Sequence, residues 1–451
     1  MTMTKGFIAC LPVIVLIILV MLSHRMTESM FIASLLASLL AYKQDFLCGY
    51  VEMIYNALSN PSYQLLLIVS CSFGGMIVLL EKSGSLFGFQ RFMVRFCTTP
   101  HRTMILTWIL GGIIFIDDYL NALAVSVSMK GLSDHYKIPR EHLAYTINCM
   151  GACVCVLVPI SSWSAFAIGS LADYGLQAAD YYRAIKYMFY PFCCLIISFL
   201  LACGKFPLIG DMKKAYERVK AGGTFLPENS VTEDLKEPTQ EQLATSSIWN
   251  FLIPMLCLFV GMLCFESNII IGILLSLASM FLLYCIKGNM KITEFTDYFI
   301  SGIADMAPLL LTITFGFAMQ NAVEKLGFNE FVLAICSQTL SVEYIPVIAF
   351  LMVGAAAFFA ASFWMLIVLT FPIFIPLTQM LGGNTALVIA AIMSGVALGS
   401  QACIFSDAVF MVASGTGVTN DDQFRTIFPY VAIGTVVAAI LFLIAGFLQK
   451  I

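Results

Sequence analysis

Along the chain, apolar runs of about 17–25 residues alternate with short polar connections, the length a helix needs to cross a bilayer at 1.5 Å per residue. The pattern predicts helical spans over about 7–22, 27–42, 63–80, 103–129, 143–158, 163–172, 186–203, 248–265, 268–286, 299–323, 328–340, 345–380, 385–399, 406–415 and 429–448. The segment 163–172 is too short to cross alone. Residues 85–98, with Gln90, Arg91 and Arg95, are too polar to cross and are placed in the membrane interface. Phe7–Leu22 follows Lys5 like a signal peptide, yet no small-x-small cleavage site follows, so it is expected to remain as a first span.

One stretch differs in kind. Lys213-Lys-Ala-Tyr-Glu-Arg-Val-Lys220 opens a polar linker that runs on through Pro227-Glu and Glu237-Pro-Thr-Gln-Glu241. It is expected to be a surface helix plus flexible chain, and it separates a first transmembrane repeat, 1–204, from a second, 248–451, across 205–247. The two sides echo each other. Glu81-Lys-Ser-Gly84 returns as Glu324-Lys-Leu-Gly327, an offset of 243 residues. Phe73-Gly74 meets Phe315-Gly316, Asp180–Arg183 meets Asp422–Arg425, and Ser162–Phe166 meets Ser406–Phe410 at similar offsets. In both halves a charged turn then precedes a last span beginning at Tyr190-Pro191 or Phe428-Pro429. Lys205, Lys213, Lys214, Arg218 and Lys220 beside a membrane exit favour a cytoplasmic linker.

Composition agrees with this picture. Of 451 residues 60% are hydrophobic and 11% charged, with mean hydropathy +0.93; soluble domains carry about 25% charged residues. The chain is therefore an all-α polytopic membrane protein of about eleven or twelve helical elements. The net charge of −4 adds nothing further, and no basic patch suggests nucleic acid. Most of the fifteen cysteines lie inside apolar runs and are expected to pack as small hydrophobes. His24, His101, His135 and His142 are expected in short connections.

Against this background Asp117 and Asp118 stand out in Gly111-Gly-Ile-Ile-Phe-Ile-Asp-Asp-Tyr-Leu-Asn121. An acid at the centre of a membrane helix costs roughly 2.5–3.5 kcal/mol on insertion scales. Helical neighbours point about 100° apart, so the pair can face one cavity only where the helix unwinds. Carboxylate, amide and hydroxyl oxygens suit a hard cation, which makes Asp117 and Asp118 candidate Na+ ligands, with Asn121 beside them. Otherwise one Asp pairs with an arginine such as Arg183 or caps a helix. Val158-Pro-Ile-Ser-Ser-Trp-Ser164 is a second interruption, either a cavity lined by Ser161, Ser162 and Trp163 or a plain proline kink. In the second half Ala360-Ala-Ser-Phe-Trp364 takes the place of the Asp pair, leaving Ser362. Gly399-Ser-Gln-Ala-Cys-Ile-Phe-Ser-Asp407 interrupts a further run, making Ser406 and Asp407 candidates, with an N-cap for 408–415 as the alternative for Asp407.

Phe115–Asn121, Ile138-Pro-Arg with Leu143-Ala-Tyr145, and Pro159-Ile-Ser-Ser-Trp163 together resemble the NhaC-type Na+/H+ antiporter family. The resemblance implies two inverted repeats with hairpins and broken helices, with Asp117 and Asp118 as cation and proton carriers. It places Asn121, Ser161, Ser162 and Trp163 on motif positions. The second half departs from the family pattern: an acid and a histidine are replaced by Ser400 and Gln401, while Gly399, Ser406 and Asp407 remain. The expected activity is Na+/H+ antiport by alternating access in a bacterial inner membrane. The alternative is Na+- or H+-coupled transport of a small organic anion or amino acid. An enzyme is not expected, nor a cofactor beyond the transported Na+ and H+. The implied partners are the lipid bilayer and a second copy of the chain as a homodimer; nucleic acid is not among them.

Overall fold

The computed structural model describes residues 3–23, 25–85, 88, 95–115, 117–227, 247–265, 268–287, 290–327, 341–360, 363–404 and 406–449. Among them the regular structure is helical. The first half contains α1 (Met3–Ser23), α2 (Met26–Tyr42), α3 (Phe46–Ser59), α4 (Pro61–Lys82), α5 (Pro100–Ile113), α6 (Asp118–His135), α7 (Arg140–Leu157), α8 (Ser162–Leu171), α9 (Ala178–Ile185) and α10 (Phe189–Ala202). The connecting α11 (Asp211–Lys220) follows. The second half contains α12 (Ile248–Cys264), α13 (Ile269–Phe281), α14 (Ile292–Asp305), α15 (Ala307–Lys325), α16 (Ile345–Ala360), α17 (Phe363–Met380), α18 (Thr385–Ala402), α19 (Asp407–Thr416) and α20 (Asn420–Leu448). Five helices among the described residues are long and apolar enough to cross a membrane, six with the bent pair α9 and α10, whose axes meet at 46°.

Two helices form the centre. Every residue of α7 from Glu141 to Val156, and of α18 from Leu387 to Ala402, is buried. In lipid there is no water-driven force between helices, so small residues that let backbones approach decide who neighbours whom. Gly399 of α18 lies against Ala357 of α16 where a Cβ would overlap it, and Gly395 lies against the backbone of Phe350 and Gly354. Gly74 of α4 and Gly302 of α14 face each other so closely that a methyl on either would overlap the other's carbonyl.

The elements recur at a fixed spacing. α6 and α17 are both 18 residues, α7 and α18 both 18, α8 and α19 both 10, and each second member starts 245 positions after the first (Asp118 to Phe363, Arg140 to Thr385, Ser162 to Asp407). At that spacing the counterpart of Asp117 is Ser362 rather than Ala360.

Several expected spans are divided. The run 103–129 is α5 and α6, and 345–380 is α16 and α17. The run 299–323 falls on α14 and α15, which part at Met306, two residues before Pro308, a residue suited to a helix start. Alternating polar residues hid α3, which buries Gly49, Met53 and Ala57. Asp421–Arg425 is not a turn before a helix start at Pro429 but the first turns of the continuous α20. Thr419 caps that helix, accepting from Asp422 N at 3.2 Å, and Asp421 pairs with Arg425 at 2.8 Å. His101, His135 and His142 lie in helix end turns rather than connections. The run 328–340, Gln90 and Arg91 of the interfacial segment, and His24 lie outside the described residues.

Candidate functional site

Breaking a helix inside a membrane frees backbone carbonyls that need new donors. At the first break α5 ends at Ile113 and α6 starts at Asp118. Asp117, extended at φ −151 and ψ 143, is the N-cap: its Oδ1 accepts from Tyr119 N at 3.0 Å and Leu120 N at 3.3 Å. The carbonyls left at the end of α5 are met from within the fold. Asn121 Nδ2 donates to Gly111 O at 2.6 Å and Ile114 O at 2.8 Å, and Cys155 Sγ donates to Phe115 O at 3.4 Å. Asn121 thus holds the break open with its nitrogen, while its Oδ1 is buried without a partner among the described residues. Replacing it with alanine leaves two buried carbonyls unpaired, a loss of about 2 kcal/mol or more. Thermal unfolding of Asn121→Ala in detergent checks this, and an unchanged midpoint contradicts it.

The second break follows from Pro159. Proline has no N–H to give the carbonyl of Cys155, four residues back. Ser161 Oγ donates to that carbonyl instead. Tyr181 OH donates to Val156 O at 2.7 Å and Ser164 Oγ to Val158 O at 2.7 Å. Ser161 also caps α8, its Oγ accepting from Ser164 N at 3.0 Å.

The two breaks are joined by consecutive side chains of α8. Ser162 Oγ donates to Asp117 Oδ2 at 3.0 Å, and Trp163 Nε1 donates to Asp118 Oδ1 at 3.2 Å. The indole also stacks on Phe363, the first residue of α17, with centroids 5.7 Å apart and planes 21° from parallel. Asp117 and Asp118 retain 5% and 3% of their exposure, so both acids are inside the protein at the positive end of α6. Arg183 is not their partner; it pairs with Asp180 at 3.4 Å. The capping alternative therefore holds for one oxygen of Asp117, while the other reaches across to the second break.

The second half supplies its part less completely. α18 ends at Ala402, and α19 starts at Asp407 with Ser406 as its N-cap. Ser406 is fully buried, makes no capping bond, and its Oγ has no partner among the described residues. Asp407 is placed by its backbone as the first residue of α19; Ser362 lies outside the described residues. Gln401, together with Asn148 and Tyr190, which the sequence does not mark as site candidates, bridges the halves here. Gln401 Oε1 accepts from Tyr190 OH at 2.7 Å, and its carbonyl accepts from Asn148 Nδ2 at 3.1 Å. An amide within the apolar run 143–158 was the available signal for Asn148.

The linker helix α11 is a two-faced surface helix, with Lys213, Lys214, Glu217 and Lys220 exposed. Met212, Ala215 and Val219 are buried on one face. Burial raises the Tyr216 phenol above its ordinary value, so a neutral hydroxyl meets His142 Nδ1 at 2.7 Å.

Residues 154–447 match the Na+/H+ antiporter family. The match takes in the second break and the second half as far as residue 447, and begins after Asp117 and Asp118. A Haemophilus influenzae protein described as uncharacterized is 22% identical over 484 aligned positions, covering 97% of this chain and 90% of its own. Among solved structures, the Neisseria gonorrhoeae protein MtrF, titled as illuminating a class of antimetabolite efflux pumps, is 13% identical with TM-score 0.46, covering 89% of this chain and 83% of its own.

Proposed function

From a chain that belongs to the Na+/H+ antiporter family, we propose an NhaC-type secondary transporter exchanging Na+ for H+ across a bacterial inner membrane. Two inverted repeats, 1–204 and 248–451, would rock about the site, with the 205–247 linker on the cytoplasmic side. The observation that carries this reading is the pair of buried acids at two interrupted helices, each held by one side chain of α8. Asp117 and Asp118 are the carrier pair. A desolvated Na+ would take their oxygens, with Ser162 turning its hydroxyl oxygen towards the ion. When Na+ leaves, a proton takes its place on the pair, so that the returning site carries the same net charge as the loaded one. Ser161 and Asn121 act by holding the broken backbone in place. Ser406, Ser362 and Asp407 would complete the polar cavity from the second half; at the 245-residue spacing Ser362 corresponds in sequence to Asp117 and Asp407 to Ser162.

The test is transport by protein reconstituted in liposomes with an imposed pH gradient. Sodium or lithium is expected to collapse the gradient. If neither does so while an added carboxylate does, the ion-exchange assignment gives way to a second reading, Na+- or H+-coupled movement of a small organic anion or amino acid. One observation favours that reading. Where the family pattern has an acid and a histidine, this chain has Ser400 and Gln401, and Ser400 Oγ, Gln401 Nε2 and Asn148 Oδ1 are buried without partners among the described residues.

A further inference from the structure

The Ile138-Pro139-Arg140 motif touches neither acid, yet Arg140 gathers the far ends of α6, which begins at the first break, and α19, which begins at the second-half interruption. Its Nε and Nη2 donate to Asp134 Oδ1 at 3.0 Å and Oδ2 at 2.7 Å, a two-pronged pair with the last turn of α6. Its Nη1 donates to Thr416 O at 3.2 Å, the last carbonyl of α19. Gly417 makes that reach possible: it ends α19 at φ +79, and a Cβ there would lie 3.3 Å from Arg140 Nη1. A carboxylate beside the negative end of α6 and the open carbonyl of α19 both need positive charge, and one guanidinium serves both.

The linker closes over the same point. Arg140 N donates to Phe225 O at 3.1 Å, and Leu226 Cδ2 lies where a Gly417 Cβ would be 3.3 Å away. The adjacent Glu141 Oε1 accepts from Arg218 Nη2 at 2.7 Å, and Arg218 Nε donates to Thr224 O at 2.9 Å. Thus α6, α7, α19 and the chain joining the two halves meet at Arg140. Asp134 and Arg140 keep 24% and 15% of their side-chain exposure, so the pair sits at the protein's rim and not in its core.

We propose that Arg140 is the latch of one transport gate: its bonds to Asp134 and Thr416 hold the outer ends of α6 and α19 together, and their release opens the crevice to Asp117 and Asp118 from the linker side. The proposal rests on the transporter reading, since only a protein that exposes its site by turns needs a gate. Arg140 acts through the helices it holds and does not touch the transported species.

The test reads opening directly. Full-length protein in detergent is treated with a small charged methanethiosulfonate, and modification of Cys155, beside the first break, is followed by peptide mass spectrometry. Cys194, buried in α10, reports general loosening. In Arg140→Gln the rate at Cys155 is expected to rise about tenfold while Cys194 stays unmodified, because fewer charge-assisted bonds favour the closed state. Asp134→Asn should give the same rise, the double variant no more than either single, and Arg140→Lys an intermediate rate. An unchanged rate at Cys155, or parallel rises at Cys155 and Cys194, overturns the latch. Labelling does not depend on which ion is carried, so failure of Na+/H+ exchange in liposomes strikes the substrate assignment and leaves this result standing.

Discussion

Asp117→Asn and Asp118→Asn are each expected to lower Na+-driven proton exchange about 100-fold while leaving the fold intact. The size follows from removing one charge from a buried ion site, where losing a partner costs about 2–5 kcal/mol. Asparagine is chosen because it preserves the local architecture. At position 117 its amide oxygen can still accept from Tyr119 N and Leu120 N, so the α6 cap survives. At position 118 an amide oxygen can still accept from Trp163 Nε1. Asp117→Ala, in contrast, should lose the cap as well and unfold with about 1 kcal/mol less stability. Initial rates in proteoliposomes, with melting midpoints as the control, separate the two effects. Full-rate exchange by both asparagine variants contradicts the carrier assignment.

The second large effect is structural. Gly302→Val should destabilise the protein by about 3 kcal/mol or more, since overpacking costs about 1–3 kcal/mol even where side chains can shift. Here the first atom added meets the carbonyl oxygen of Gly74, which no change of rotamer can move. α4 and α14 must separate. Gly302→Ala adds the same Cβ, so it is expected to behave like valine and not midway between valine and glycine. Thermal unfolding of both variants in detergent checks this, and a midpoint near wild type for alanine shows that the two helices can slide apart.

Charge scarcity and proline grammar made the centre of the site readable in advance. Asp117 and Asp118 stand out because they are two adjacent charges within one apolar run, and Pro159 followed by serines marks the second break. Their partnership was not readable. That Ser162 would meet Asp117 and Trp163 meet Asp118 depends on how α8 lies across α6, a tertiary fact without a local signal. The runs 103–129 and 345–380 looked like single spans because an interrupted apolar stretch has the hydropathy of an intact one. Asn121 reads as a candidate ligand because an amide offers both an oxygen and a nitrogen, and what the sequence does not show is the structural use of the nitrogen. The fold uses the nitrogen, on Gly111 O and Ile114 O. In the linker the surface helix is legible, but its buried face of Met212, Ala215 and Val219 is concealed by an average over its charged neighbours. Residue echoes put the repeat spacing at 243 and point to Ala360, whereas the helix starts recur at 245 and point to Ser362.

Competition between sodium and protons for one pair of acids is the claim from which everything else descends, and it can be measured without a membrane. Sodium chloride is added to purified protein in weakly buffered detergent, and the pH of the solution is recorded. Protons are expected to be released on sodium addition but not on choline addition, with the release lost in Asp118→Asn. A wild-type protein that takes up sodium and releases no proton would contradict that claim.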